Sequence, residues 1–393
     1  MKYLIFLFDG LADFPGKRTP LSDSFKPNLD YIASKGLVAN LSLIDRKMWS
    51  EETRASVSHF ANTSFLGYDP LKFYNKRGVL EAISAGIDYK NGWLAIRCDF
   101  GTIKNGIVVD RRAGRNTFGL DDLVRDVKKK VKVEAEFEFK RTYGHRAVLV
   151  FKKNLSDKIQ LNDPLSTNLP PKEILPLDKK AEKSAELVKD FLDEANKILE
   201  NHPVNEEREK KGIPPANCLL LREAGNKVNF FKPPFTKKHK VKAVAISEPG
   251  VMKATCMLAG FSAVDIPEDL DYKKGLEFIF ETIGELLHKY DFIYSHIKWT
   301  DEAAHDKDFE RKKKVIEEFD KHLEVYRDFN GKIVVTTDHI TSCETGKHEF
   351  GRVPVLIYPY KGRKKVKKFD EISSMKGKKL KPRDLWKILF KSS

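Results

Sequence analysis

Residues 2–10 read KYLIFLFDG, six consecutive apolar residues from Tyr3 to Phe8 closed by Asp9 and Gly10. An unbroken apolar run of that length marks a strand covered on both faces, as in a mostly parallel sheet. The pattern recurs late in the chain. DFIYSHI at Asp291–Ile297 leads into Thr300-Asp301, KIVVT at Lys332–Thr336 leads into Thr337-Asp338-His339, and VPVLIY at Val353–Tyr358 adds a further short strand. Helical stripes separate these runs: Leu276, Ile279, Phe280, Ile283, Leu286 and Leu287, then Val315, Ile316, Phe319, Leu323 and Tyr326. The alternation predicts an α/β fold with a mostly parallel sheet flanked by helices.

The middle of the chain reads differently. Short strands are expected at Trp93–Arg97, Gly106–Val109, Val131–Phe139 and Arg146–Phe151, followed by a proline-rich loop from Asp163 to Pro176. A helix follows with the stripe Leu187, Val188, Phe191, Leu192, Ala195, Ile198 and Leu199, stopped by Pro203. The predicted organisation is a discontinuous α/β domain, 1–75 with 240–393, split by a smaller inserted α+β domain at 76–239.

Composition sets outer bounds. At 393 residues, 41% apolar and 33% charged, the chain has room for two cores. Cys98, Cys218, Cys256 and Cys343 form no CxxC pair, so neither a zinc knot nor a disulfide framework is signalled. The apolar run after Lys2 is too short for a signal-peptide core or a membrane span, and the expectation is a cytoplasmic protein without a membrane partner. The 72 Lys+Arg against 57 Asp+Glu leave a net charge of +15, read as a Lys/Glu-rich surface that also draws in a small phosphorylated anion. The densest basic run, Lys361–Lys368, has only Tyr360 and Phe369 beside it, a poor stacking platform that speaks against nucleic acid. Oligomeric state stays open.

The chemistry gathers where strands end. In open α/β sheets ligands bind beyond the carboxyl ends of the strands, and here three such ends carry Asp9, Asp301 and Asp338. Three carboxylates on one edge repel unless a cation lies between them. Asp301 and His305 stand four apart, on one face of any helix that starts after Thr300; His339 follows Asp338, and His348 lies nine residues further on. This oxygen/nitrogen set suits zinc or manganese and exceeds what one tetrahedral ion needs, so two ions that clamp a phosphoryl transfer are the natural reading. Each residue also has a plainer explanation: a strand-end Asp is commonly a helix cap or turn residue, and His296, His288 and His322 read as ordinary core or surface histidines. The joint pattern carries the metal reading.

A series of further motifs runs along the chain. The motifs are FDGLAD at Phe8–Asp13, TPLSDSFKPNLDYIASKG at Thr19–Gly36, SHFANTSFLGYDP at Ser58–Pro70 and RGVLEAISAGI at Arg77–Ile87. RCDF at Arg97–Phe100, VDRRAGR at Val109–Arg115, HRAVLV at His145–Val150 and NDP at Asn162–Pro164 follow. IPPANCLLLREAG at Ile213–Gly225, HIKWTDEAAHD at His296–Asp306 and TDHITSC at Thr337–Cys343 complete the set. On these motifs the sequence resembles the archaeal type of cofactor-independent (2,3-bisphosphoglycerate-independent) phosphoglycerate mutase, of the alkaline phosphatase superfamily.

The resemblance implies an alkaline-phosphatase-like fold and places roles. Asp9, Ser58, Asp338 and His339 would bind one divalent ion, and Asp301, His305 and His348 the other, with Mn, Zn, Co or Mg as the metal and no 2,3-bisphosphoglycerate. Ser58 would be the nucleophile, deprotonated by metal coordination. Counting back from Leu258–Gly260 puts a family lysine near the transferring phosphate at Lys242. Arg111, Arg112, Arg115, Arg97, Arg146 and Arg222 would hold the substrate's carboxylate and phosphate, with Asp110 and His145 also at the substrate. The implied reaction moves the phosphoryl group of 3-phosphoglycerate to Ser58 and then to the 2-hydroxyl, while the insert retains glycerate and excludes water.

The sequence departs from the family pattern at several points. Val57-Ser58-His59 replaces Gly-Ser-Asp, Met48–Ser56 lacks a Gly/Pro-rich turn, Trp299 and Ala304 replace glycines, and Val79 replaces a proline. A bulky Trp299 beside Asp301 is expected to reshape the pocket. The alternatives are a phosphatase or other phosphoryl-transfer enzyme on the same fold, and a silent binding protein, for which the full ligand set would have no use.

Overall fold

The fold is taken from a computed structural model that describes residues 1–14, 18–362 and 366–390. Part of the Lys361–Lys368 run, residues 363–365, lies outside the described residues. The chain forms two compact units: Met1–Tyr74 with Phe230–Glu248 and Thr255–Ser393, and Asn75–Asn229 with Pro249–Ala254. The expected insertion, 76–239, therefore runs about ten residues too far. Phe231 stacks on Tyr68 (4.3 Å), and Phe235 packs against Phe292 and Trp386, which ties that stretch to the first unit.

The first unit is built on an eight-stranded sheet in the order Ser262–Asp265, Ala243–Ser247, Phe292–Ile297, Tyr3–Phe8, Lys332–Thr337, Val353–Tyr358, Leu37–Leu41 and Lys378–Leu380. The first five strands run parallel, the Val353–Tyr358 strand is reversed, and the last two return to the original direction. The continuous apolar runs are what a sheet covered on both faces requires. Helices Pro27–Lys35, Tyr272–Leu286 and Phe309–Leu323 pack one face through Leu29, Ile32, Leu276, Ile279, Phe280, Val315 and Phe319.

Trp299 belongs to this core and is 3% exposed. A Cβ on Gly275 would come within 2.1 Å of its ring, so the indole lies flush on the backbone of the Tyr272–Leu286 helix. The expectation that Trp299 reshapes the pocket is corrected: the side chain fills core volume.

The second unit is a five-stranded antiparallel sheet of Ile107–Asp110, Trp93–Lys104, Arg146–Asn154 and Phe137–Arg141, with Cys218–Gly225 on the other side of Trp93–Lys104. Strand alternation sorts its faces. Leu94, Ile96, Cys98 and Phe100 join Ala147, Leu149 and Phe151 under helices Leu120–Lys130 and Glu182–Glu200. Arg97, Asp99 and Arg146 point the other way. Helix Arg77–Ser84 approaches this second face closely, because a Cβ on Gly78 would be 2.4 Å from the Ala95 carbonyl oxygen.

One sequence expectation changes here, and two helices are added. The Val131–Phe139 strand reduces to Phe137–Arg141, preceded by helix Leu120–Lys130, and Pro203 opens a new helix, Pro203–Lys210, after the preceding one ends at Glu200.

Candidate active site

Sheet register brings the strand-end residues together. Phe8 pairs with Ile297 on one side and Thr337 on the other, so Asp9, the segment at Thr300-Asp301 and Asp338-His339 leave the same edge side by side. Backbone bonds lock the turn: Asp9 N–H to Ile297 O (2.9 Å), Asp338 N–H to Phe8 O (3.1 Å), and Thr300 Oγ1 donating to Asp9 O (2.5 Å). Gly10 is needed here, with φ +56° and a virtual Cβ only 2.5 Å from Asp301 Oδ1.

Ser58 enters from the first turn of helix Val57–Phe65, where the helix dipole favours negative charge. Its Oγ lies 3.1 Å from His339 Nε2 and 3.4 Å from Asp9 Oδ1. His339 Nε2 is also 2.9 Å from Asp9 Oδ1 and 3.4 Å from Asp338 Oδ1. Asp338 is oriented by Gly10 N–H (3.1 Å) and by Asn62 Nδ2 (3.2 Å). These residues form one group.

The second group abuts it. Helix Trp299–His305 sets Asp301 and His305 one turn apart, with His305 Nε2 3.1 Å from Asp301 Oδ2. His348 Nε2 lies 3.0 Å from His305 Nε2 and 3.6 Å from Asp301 Oδ1, and its ring sits 4.5 Å from that of His339. The donor atoms of Asp9, Asp338 and His339, and those of Asp301, His339 and His348, lie close enough together to hold an ion, so His339 belongs to both sets.

The hydrogen-bond chemistry fits a cation. His305 Nδ1 and His348 Nδ1 donate to the carbonyl oxygens of Gly346 (2.8 Å) and Arg54 (2.9 Å), which turns both Nε2 atoms inward. At 3.0 Å at most one proton fits between those two nitrogens, so at least one lone pair is aimed into the group. Burial raises the Asp301 carboxyl, but His305 at 3.1 Å, with His348 and His339 close by, outweighs it and holds it well below the usual range. Burial pushes Asp338 up to about 6 against the pull of His339, whereas His339, disfavoured as a cation by burial, is held up to about 10 by Asp338 and Asp9. The group thus retains protons that a metal would displace.

Lys242 does not join this site. It precedes the Ala243–Ser247 strand, its N–H bonds Asp291 Oδ2 (3.1 Å) and its Nζ lies over the Tyr290 ring (5.2 Å), at the amino edge of the parallel sheet. The assignment is corrected because Asp9, Asp301, Asp338 and His339 leave the opposite edge. His59, which stands where the family carries Asp, is buried and points to Thr255 Oγ1 (3.3 Å) and the Tyr74 ring. Sequence reasoning missed Thr341 and Asn62, and it treated His296 as a core residue only. His296 is buried and bonded to Glu248 (3.3 Å), which holds it up to about 9 despite burial, with Nε2 4.0 Å from Asp9 Oδ2.

In the second unit the arginines gather on the face under helix Arg77–Ser84. Asp99 links Arg97 (3.1 Å), Arg222 (2.9 Å) and His145 (3.7 Å), and Arg111 forms a fork with Asp163 (2.9 and 2.6 Å). Burial and then neighbouring guanidiniums lower Arg77, Arg112, Arg146 and Arg222, a mutual repulsion that an anionic ligand would relieve. Asp110 accepts from Arg112 N–H (2.7 Å) and Gly114 N–H (2.8 Å), so it folds the Arg111–Arg115 loop. Arg77, Asp99 and Asp163 were not singled out from sequence.

A mostly parallel sheet whose carboxyl edge sets a serine against two abutting carboxylate–histidine groups defines the class: an α/β protein with a candidate two-cation site. Residues 50–205 match the family model described as 2,3-bisphosphoglycerate-independent phosphoglycerate mutase. A protein of that name from Thermoplasma volcanium is 36% identical over 95% of this chain and 92% of its own, and one from Methanococcus maripaludis is 37% identical over 96% and 94%. The solved cofactor-independent phosphoglycerate mutase of Thermoplasma acidophilum superposes with TM-score 0.64 at 32% identity, covering 99% of both chains. A Pyrococcus horikoshii structure gives 0.77 at 28% identity over 99% of this chain and 96% of its own. The chain belongs to the 2,3-bisphosphoglycerate-independent phosphoglycerate mutase family. No helix among the described residues is long and apolar enough to cross a membrane.

Proposed function

We propose that the chain interconverts 3-phosphoglycerate and 2-phosphoglycerate through a phosphoserine at Ser58, without 2,3-bisphosphoglycerate. The observation that carries this is the placement of Ser58 Oγ, 3.1 Å from His339 Nε2 and 3.4 Å from Asp9, in a chain of this family. Asp9, Asp338, His339 and Ser58 would hold one divalent ion, and Asp301, His305 and His348 the other. Such ions supply Lewis-acid stabilisation of phosphoryl charge and lower the proton affinity of a serine hydroxyl.

The chain's own residues do the rest. Ser58 Oγ attacks phosphorus as the bond to the 3-oxygen breaks, and the proton that the Ser58 hydroxyl gives up is balanced by the one the 3-oxygen takes, so glycerate leaves as the alcohol. The 2-hydroxyl then attacks the phosphoserine, loses its proton, and returns Ser58 to its starting state. No atom is gained or lost, and no water enters. The helix N-terminus at Ser58 favours the phosphoryl charge. Within the second unit the cluster of Arg97, Arg112, Arg115, Arg146 and Arg222 with His145 would suit an anion, as the family resemblance implies, and Asp110 holds the loop that carries two of them.

The test is phosphorus NMR of manganese-loaded protein with 3-phosphoglycerate and no 2,3-bisphosphoglycerate. The expected product is 2-phosphoglycerate with little free phosphate. Free phosphate alone would make the chain a hydrolase on the same fold.

A further inference from the structure

One hydroxyl touches both candidate metal groups. Thr341 lies in the two-residue strand Ile340–Thr341, directly opposite His348 of His348–Glu349. It is fully buried, and its backbone is held on both sides: its N–H donates to Ala12 O (3.2 Å) and its carbonyl accepts from Lys312 Nζ (2.8 Å). The side chain therefore has a fixed origin.

Thr341 Oγ1 lies 2.6 Å from Asp301 Oδ1 and 3.1 Å from His339 Nδ1. A hydroxyl has one proton to give, and a carboxylate only accepts. The proton therefore goes to Asp301, and the oxygen's lone pair faces Nδ1, which must carry hydrogen to meet it. That leaves His339 Nε2 as the atom turned towards Asp9 (2.9 Å) and Ser58 (3.1 Å). The same hydroxyl fixes one oxygen of Asp301, whose other oxygen faces His305 (3.1 Å). Gly10 completes the arrangement, since a Cβ there would meet Thr341 Oγ1 at 2.4 Å.

We propose that Thr341 is a positioning residue that joins the two metal groups, orienting His339 in one and Asp301 in the other through a single hydroxyl. This rests on the two-metal reading of the site. Partners of metal ligands are worth about 10–100-fold in metal affinity, and a partner shared by both groups acts on both.

The experiment strips the full-length chain with chelator and titrates it with manganese(II), reading free ion by electron paramagnetic resonance. Thr341→Val keeps the branched shape and removes the hydroxyl; it is expected to weaken both sites about 10–100-fold. Thr341→Ser keeps the hydroxyl and is expected to restore both, which a packing role for the methyl would not do. Should the valine variant not fold, Thr341→Ala makes the same comparison. Weakening of neither site, or of one alone, overturns the proposal, as does a serine variant as weak as the valine one. A wild-type chain that takes up no manganese overturns the two-metal reading itself and this inference with it.

Discussion

Replacing Arg208 by Met separates the architecture of the arginine loop from its chemistry. Arg208 is fully buried, and its guanidinium donates to four carbonyl oxygens: Ala113 (2.7 Å), Asn116 (3.2 Å), Phe118 (2.6 Å) and Pro214 (2.9 Å). Three of these belong to the loop that presents Arg111, Arg112 and Arg115. The loop backbone is left-handed at Ala113, Gly114 and Arg115, with φ of 44°, 67° and 53°. For the two non-glycine residues this costs about 1–2 kcal/mol each. Asp110 offsets that cost from one side and Arg208 from the other. Methionine fills similar volume and donates nothing. Four carbonyls without a donor, at about 1–3 kcal/mol each, less the hydration that the guanidinium gives up on burial, put the net loss at about 3–5 kcal/mol. Urea denaturation should show a lower midpoint, and saturation kinetics with 3-phosphoglycerate should show a raised KM, while manganese uptake stays at the wild-type stoichiometry. A variant with the wild-type midpoint and KM would refute the reasoning, and loss of manganese would show that the effect does not stop at the loop.

Further outcomes follow from other parts of the molecule. His348→Ala removes one of two facing ring nitrogens and is expected to reduce tightly bound metal from two ions to one by elemental analysis; unchanged stoichiometry would contradict the grouping. Trp299→Ala is expected to cost about 3–5 kcal/mol of stability, as large core truncations do, with KM unchanged; a stable variant with altered substrate preference would return Trp299 to the pocket. His145 is pushed down from its ordinary 6.5 to about 3 by burial, against the pull of Asp99. Its stabilising contribution is therefore complete above about pH 6.5 and falls as pH drops towards 3, because only the unfolded chain takes up the proton. His145→Gln should flatten that limb of the stability–pH curve; an unchanged curve would show that the histidine is not held neutral.

What could be read from the sequence tracks what is local. Tyr3–Phe8, Phe292–Ile297 and Lys332–Thr337 are legible because burial on both faces leaves an unbroken apolar run, and the carboxylates at their ends follow from the polarity of a parallel sheet. Asp301 and His305 are legible because four residues make one helical turn. The pairing of His305 with His348, the carbonyls behind them and the hydroxyl of Thr341 depend on where distant backbone segments cross, which residue type does not record. Lys242 shows a signal that went unused. It precedes an apolar strand, as Lys2 and Lys332 stand at the starts of theirs, and so lies at the wrong edge. Helix Leu120–Lys130 also left a mark, two aspartates at its start and three lysines at its end around Leu120, Leu123 and Val127, matched to the helix dipole.

The central claim is that Ser58 carries the phosphoryl group, and rapid-quench peptide mapping tests it most directly. Manganese-loaded protein is mixed with 3-phosphoglycerate, stopped in acid, digested and read by mass spectrometry. The account expects phosphate on the peptide bearing Ser58, and in Ser58→Ala no phosphopeptide and no 2-phosphoglycerate despite retained fold. Turnover by Ser58→Ala, or phosphate on another residue, would contradict it.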